Sequence, residues 1–131
     1  MKFHVEVECA PQEEGIHVSF KGKDAEFLLL KNGEVLNAME YILNRIFSEK
    51  LTKENKIVTD SQNFRKFRND ELKMIAQKAS EKVMQYGSSV QLQAMPPHER
   101  RIIHMALKEN SKVKTISEGE GEDRKVIIEP A

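Results

Sequence analysis

Met95-Pro96-Pro97-His98-Glu99-Arg100-Arg101-Ile102-Ile103-His104 is the stretch whose spacing decides how this chain is read. Proline suits the first turn of a helix, where its missing N–H is not needed, so Pro97 marks a start. Glu99 favours the positive end of the helix dipole. At about 100° per residue, Arg100 and His104 differ by about 40° and share one face. Ile102, Ile103, Ala106 and Leu107 supply an apolar stripe, and the Arg/His pair falls at its edge, anchored yet able to reach solvent. A guanidinium held beside an imidazole suits phosphate and base recognition. Spacing alone does not establish this, because an Arg/His pair at i,i+4 is most often plain helix surface. Arg101 is a further flanking cation.

Working outward, residues 64–86 form a long helical pattern with Leu72, Ile75, Ala76, Ala79 and Val83 as its buried stripe, and Gly87 ends it. This helix is expected to join two domains with little flexible linker. Val90 to Gln93 reads as a strand. Residues 113–118 and 124–129 read as two antiparallel strands, with Gly119 to Asp123 turning between them. In the first half, Phe3, Val5 and Val7 alternate with polar residues, as do Ile16, Val18 and Phe20, which predicts an antiparallel hairpin across the Pro11–Gly15 cluster. Asp24 is placed to cap a short helix over Ala25 to Leu30. Lys31-Asn32-Gly33 forms a loop. Val35, Leu36, Met39, Ile42, Leu43 and Ile46 repeat at helical spacing, and Lys56 to Asp60 is a third short strand.

A chain of 131 residues allows one domain or two small ones. Lys+Arg and Asp+Glu both number 21, so the whole is no polycation. The halves differ: residues 1–60 hold 8 basic and 11 acidic side chains, and residues 61–131 hold 13 and 10. The second half is therefore the better place for a nucleic-acid site. Cys9 is the single cysteine, so no intrachain disulfide can form. No apolar run approaches the roughly 18 residues of a membrane span, and the first residues lack a signal-peptide core. A cytoplasmic protein without membrane insertion is the expectation.

The run 95–104, together with Ser117-Glu118-Gly119-Glu120-Gly121-Glu122-Asp123-Arg124, resembles the R-3-H half of the bacterial Jag family, also called SpoIIIJ-associated, KhpB or EloR. In that family an R-3-H domain, named for Arg-x-x-x-His, follows a KH domain, and both are modules for single-stranded nucleic acid. The resemblance implies that Arg100 and His104 line the binding site, Arg100 on phosphate and His104 on phosphate or stacked on a base. It also implies that the 119–123 loop lies near their helix, which makes Arg124 and Lys125 secondary phosphate contacts. The family is assigned to RNA binding and to control of cell elongation and division.

Two departures concern the first half. KH domains grip four nucleotides with a Gly-x-x-Gly loop, and here the matching positions read Leu30-Lys31-Asn32-Gly33. A branched side chain in place of the first glycine obstructs close approach of a ligand, although Lys31 keeps a positive charge there. A scaffold or protein-contact role is favoured over RNA gripping. The family's KH domain also has a helix before its first strand, whereas this chain opens at that strand, which is expected to leave an apolar surface for a partner.

Other motifs are weaker. Phe64, Arg65, Lys66, Phe67 and Arg68 interleave aromatic and basic side chains, so Arg65 and Arg68 are candidate RNA contacts, with a core-and-wet-face reading of equal weight. His98 and His104 are six apart, about 240° around a helix, so they do not reproduce a His-Glu-x-x-His zinc site. The 119–123 loop is acidic and lacks a following Gly-Lys-[Ser/Thr], so it is no nucleotide-binding loop. No triad, metal cluster or cofactor motif can be assembled. The sequence thus predicts an α+β protein: a degenerate type II KH-like domain at 1–60, then an R-3-H domain at 61–131 with a three-stranded sheet packed on helices. Its expected function is non-catalytic binding of single-stranded RNA, with single-stranded DNA as a related ligand. The rival is a protein-interaction module regulating an ATPase or a membrane-associated assembly. No cofactor or metal is expected.

Overall fold

In the computed structural model, which describes residues 2–12, 15–52 and 55–131, the alternation near the N-terminus becomes an antiparallel pair, β1 (Glu6–Gln12) and β2 (Gly15–Lys21). β1 starts later than the alternation suggests and runs on through Pro11. It is an edge strand, so the N–H that proline lacks is not missed by a second neighbour. Phe3 lies outside the strand and meets Phe27 edge-on, with ring centroids 5.9 Å apart. The middle of the expected turn, residues 13–14, lies outside the described residues. Gly15 follows with φ +131°, and a Cβ there would stand 2.1 Å from the Lys56 carbonyl oxygen, so only glycine fits. β3 (Lys56–Asp60) joins β2 in parallel, giving the order β1-β2-β3.

Asp24 does not cap the short 3-10 turn at Ala25–Leu29, contrary to the sequence reading. Its Oδ2 instead accepts the backbone N–H of His4 at 2.7 Å, tying the incoming chain to the start of the turn. The span Leu30–Ile46, α1, is broken at its start, since Lys31, Asn32 and Gly33 are all left-handed. The regular helix, 34–46, lays Leu36 against Val18, Phe20 and Ile57, with Met39, Leu43 and Phe64 packed around them. Polar residues of α1 close the free edge of β3. Asn44 donates to the Ile57 carbonyl at 2.8 Å and accepts its N–H at 2.9 Å, and Glu40 accepts the Thr59 N–H at 2.9 Å. Side chains thereby satisfy an edge that would otherwise template pairing with another strand.

The chain divides into two compact units, Met1–Phe67 and Arg68–Ala131, with the division falling inside α2 (Phe64–Tyr86). The second unit continues with β4 (Val90–Gln91), α3 (Pro97–Leu107), β5 (Val113–Glu118) and β6 (Lys125–Pro130). Its sheet is antiparallel in the order β4-β6-β5. Gly87 ends α2 with φ +70°, its N–H bonded to the Val83 carbonyl at 2.8 Å.

Core positions in this unit follow the periodicities. Leu72, Ala76, Ala79 and Val83 of α2 meet Ile103 and Leu107 of α3, together with Met95, Val113, Val126 and Ile128. Three expected core residues depart from this: Ile75 and Ile102 are half-buried and Ala106 is exposed. The centre of the buried stripe on α3 runs through 99, 103 and 107, which swings Ala106 to its margin. The sheet contributes a hydrophobic inner face because β6 is paired on both sides, so Val126 and Ile128 point into the cluster without exposing an edge.

Candidate nucleic-acid interface

α3 begins at Pro97, as the sequence predicts, and Pro96 stands before it in extended conformation. Arg100 and His104 both lie half-buried at the flank of this helix that faces β5. Arg100 Nε donates to the Met95 carbonyl at 3.1 Å. The Met95 N–H in turn donates to the Arg124 carbonyl at 3.2 Å. One residue therefore ties the Arg100 side chain to the backbone at the base of the 119–123 turn. Among the described residues no carboxylate pairs with Arg100, which leaves its outer guanidinium edge for an anion.

His104 is held at both ring nitrogens. Nδ1 lies 2.6 Å from Thr115 Oγ1, and Nε2 lies 3.0 Å from Ser117 Oγ. These two hydroxyls alternate on the face of β5 that meets α3, as residues two apart on a strand must. A hydroxyl can donate or accept, so the pair satisfies a neutral imidazole in either tautomer. Burial pushes the His104 pKa below the usual histidine value, and the positive charge of Arg100 adds to that. With both nitrogens engaged, the half-buried ring keeps no free nitrogen for a ligand, and Thr115 and Ser117 are themselves half-buried beside it. Sequence reading missed these two residues. Their signal was present as Thr and Ser at alternate positions on the inward face of a strand that follows the Arg/His helix.

The remaining candidates are placed differently. Arg124 Nη1 donates to the Gly119 carbonyl at 2.8 Å, closing the turn it follows, and Lys125 Nζ donates to Gln91 Oε1 at 2.8 Å. Arg101 is exposed on α3 and, with Lys73 of α2, lines a shallow groove. Glu118, Glu120, Glu122 and Asp123 are exposed around the turn, as an acidic rim.

Arg68 donates from Nε and Nη2 to the two carboxylate oxygens of Glu99, at 2.8 and 3.0 Å. The pair is enclosed, with Glu99 2% and Arg68 12% exposed. The Glu99 hydrogen bond holds the guanidinium above its ordinary pKa. Arg65 donates to the Thr59 carbonyl and to Asn37 Oδ1, and it lies 3.7 Å from Glu40. Lys31 sits in the left-handed run of the broken α1, with an exposed side chain. Leu30, at the position where a first glycine was expected, has φ −61° and ψ 152°, so its backbone needs no glycine. The glycine that matters is Gly33, where φ is +78° and a Cβ would stand 2.4 Å from the Phe64 ring.

Among the described residues no three His, Cys, Asp or Glu side chains are grouped to hold a metal. Among the described residues no helix is long and apolar enough to cross a membrane.

The region built from α2, α3 and the β4-β6-β5 sheet, with the Arg/His pair at its edge, matches the R-3-H domain family over residues 70–130. The chain is also similar, over most of its length, to proteins named RNA-binding protein KhpB. It is 34% identical over 98% of its length to the RNA-binding protein KhpB of Clostridium symbiosum, and 35% identical over 82% to that of Bacillus subtilis. A third relative, the RNA-binding protein KhpB of Lactiplantibacillus plantarum, is 31% identical over 77%. The chain spans 58%, 52% and 31% of the length of these three relatives.

Proposed function

We propose that this protein binds single-stranded RNA without catalysis, in the cytoplasm, through the Arg100/His104 flank of α3. The observation that carries the reading is the unpaired outer edge of the Arg100 guanidinium, held at a fixed angle by the Met95 carbonyl beside the His104 ring. Arg100 supplies charge-assisted hydrogen bonds to phosphate. His104 offers a ring face for a base, and the Thr115 and Ser117 hydroxyls offer further hydrogen bonds. Arg124 and Lys125 lie at the adjoining turn and add positive charge; both can exchange their present neutral partners for phosphate. Arg65 and Arg68 are left out of the proposed surface, since their N–H groups are already committed within the fold. The relatives' name, RNA-binding protein, supports the ligand class. Phosphate contacts position a strand without specifying its sequence, so weak sequence preference follows.

The test is binding of a short single-stranded RNA, and of the matching DNA, by the wild type and by Arg100→Ala/His104→Ala. The double variant is expected to lose most of the affinity while its circular dichroism spectrum is unchanged. Unaltered binding would end the proposal.

A second reading is favoured by the N-terminal unit. Its order of strands and helices suits the KH-like assignment, yet its α1 exposes Val35, Ile42 and Ile46 along one stripe, 45%, 53% and 66% accessible. Val7 of β1 is exposed as well. Such a stripe suits a protein partner, and a role in cell elongation or in regulating an assembly would run through it. RNA-independent capture of a defined partner, abolished by Ile42→Glu, tests this reading.

A further inference from the structure

The outward face of α3 continues past the Arg/His pair. Taking Arg100 as origin, His104 lies at about 40°, Lys108 at about 80°, Arg101 at about 100° and Met105 at about 140° around the helix axis. Within Pro97–Leu107 the single acidic residue is Glu99, which is buried and paired with Arg68. The exposed arc thus carries Arg100, Arg101 and Lys108, with His104 and Met105 between them and Glu109 beyond, at about 180°. Beside it lies a groove between α3 and α2 of about 280 Å³, lined by the apolar Ile102, Met105 and Ala106 and by the cations Arg101 and Lys73. The lining is almost wholly apolar, and Met105 is 58% exposed. Among the described residues neither cation is paired with a carboxylate.

We infer that this groove receives one base of the RNA strand whose phosphates Arg100 holds, with Arg101 and Lys73 gripping the phosphates on either side. The inference rests on the RNA-binding reading and extends it to a second place on α3. Three features select the occupant. The volume falls just below the roughly 300–1,000 Å³ of ordinary small-molecule sites, which suits one planar ring rather than a larger ligand. An apolar lining beside two cations matches a nucleotide, which is a flat, weakly polar base on a charged spine. Met105 is a flexible, polarisable thioether that adapts to the face of an aromatic ring. Met105, Ile102 and Ala106 lie about 140°, 200° and 240° around the axis from Arg100, so the path over the exposed surface is about half a helix circumference, on the order of 15–20 Å, which about three nucleotides span.

The test is fluorescence anisotropy on the full chain with a labelled single-stranded RNA of about eight nucleotides. The same RNA carrying one abasic position, moved along its length, is measured in parallel. For the wild type, one abasic position should lower affinity by about fivefold or more, as for the loss of a stacked base. Ala106→Leu fills the groove with an apolar side chain that helices favour. It should lower affinity by a similar factor and make the protein indifferent to that abasic position. Lys73→Gln/Arg101→Gln should weaken binding of every RNA alike. If wild-type binding is absent, or is unchanged in Arg100→Ala/His104→Ala, the RNA-binding reading falls and this inference with it. If the double variant loses binding while Ala106→Leu and all abasic RNAs behave as wild type, the groove assignment alone is overturned.

Discussion

Arg68 and Glu99 form a two-point ion pair, 2.8 and 3.0 Å, enclosed between α2 and α3 one residue before Arg100. The pair fixes the first turn of α3 and so the direction in which Arg100 leaves the helix. Removing one partner leaves the other charge buried without compensation, which costs far more than the net worth of the pair. Glu99→Ala should therefore destabilise the second unit by about 3 kcal/mol. Arg68→Met/Glu99→Leu should recover most of that, because both charges go together. Urea denaturation of the three variants measures this, and a single-variant cost well under about 1 kcal/mol would contradict the structural role.

Acid should act on His104 in two opposite ways. Its native pKa is depressed, so the unfolded chain takes up a proton more readily than the folded one. Stability from this group is complete above the ordinary histidine value of about 6.5 and is lost as pH falls through the lowered native pKa. Bound phosphate favours the imidazolium instead, so RNA affinity should rise as pH falls from about 7.5 toward 6. His104→Gln should flatten both profiles, read as melting temperature and as RNA affinity against pH. A flat affinity profile in the wild type would remove the ring's charge from recognition.

Salt dependence counts the phosphates held. Three to four contacts, at about 0.7 each on a single strand, predict a slope of log affinity against log salt of roughly −2 to −3. Arg100→Ala should reduce its magnitude by about 0.7. Arg65→Ala should leave the slope unchanged, since that guanidinium is committed to Thr59 and Asn37. Equal slopes for Arg100→Ala and the wild type would exclude Arg100 as a phosphate ligand.

Gly33→Ala should destabilise the N-terminal unit by about 2 kcal/mol. A left-handed backbone costs an L-residue about 1–2 kcal/mol, and the new methyl would press on the Phe64 ring, which packs against that unit's core. Lys31→Gly, where φ is +52°, should instead stabilise it by about 1 kcal/mol. Thermal unfolding of the two variants in opposite directions is the expected result.

The periodic elements were legible because period is a local property. α2, α3, β5 and β6 stand close to where apolar spacing places them, and Pro97 and Gly87 mark a start and a stop by fixed φ and by positive φ. Asp24 was misread because a capping residue is recognised from local sequence, whereas the donor it took, the His4 N–H, lies 20 residues away. The two arginines are the same lesson on a larger scale. Arg65 and Arg68 look like Arg100 in sequence, but partners at Asn37, Thr59 and Glu99 draw them inward.

By itself the sequence determined the elements, the pairing of arginine and histidine on one flank of a helix, and the likeness that the R-3-H domain match bears out. Tertiary structure decided which cations stay available to a ligand. Charge is a property of a residue type, but availability depends on what lies across the fold. Glu99 encloses one guanidinium, the Met95 carbonyl steers another outward, and Thr115 and Ser117 turn the His104 ring.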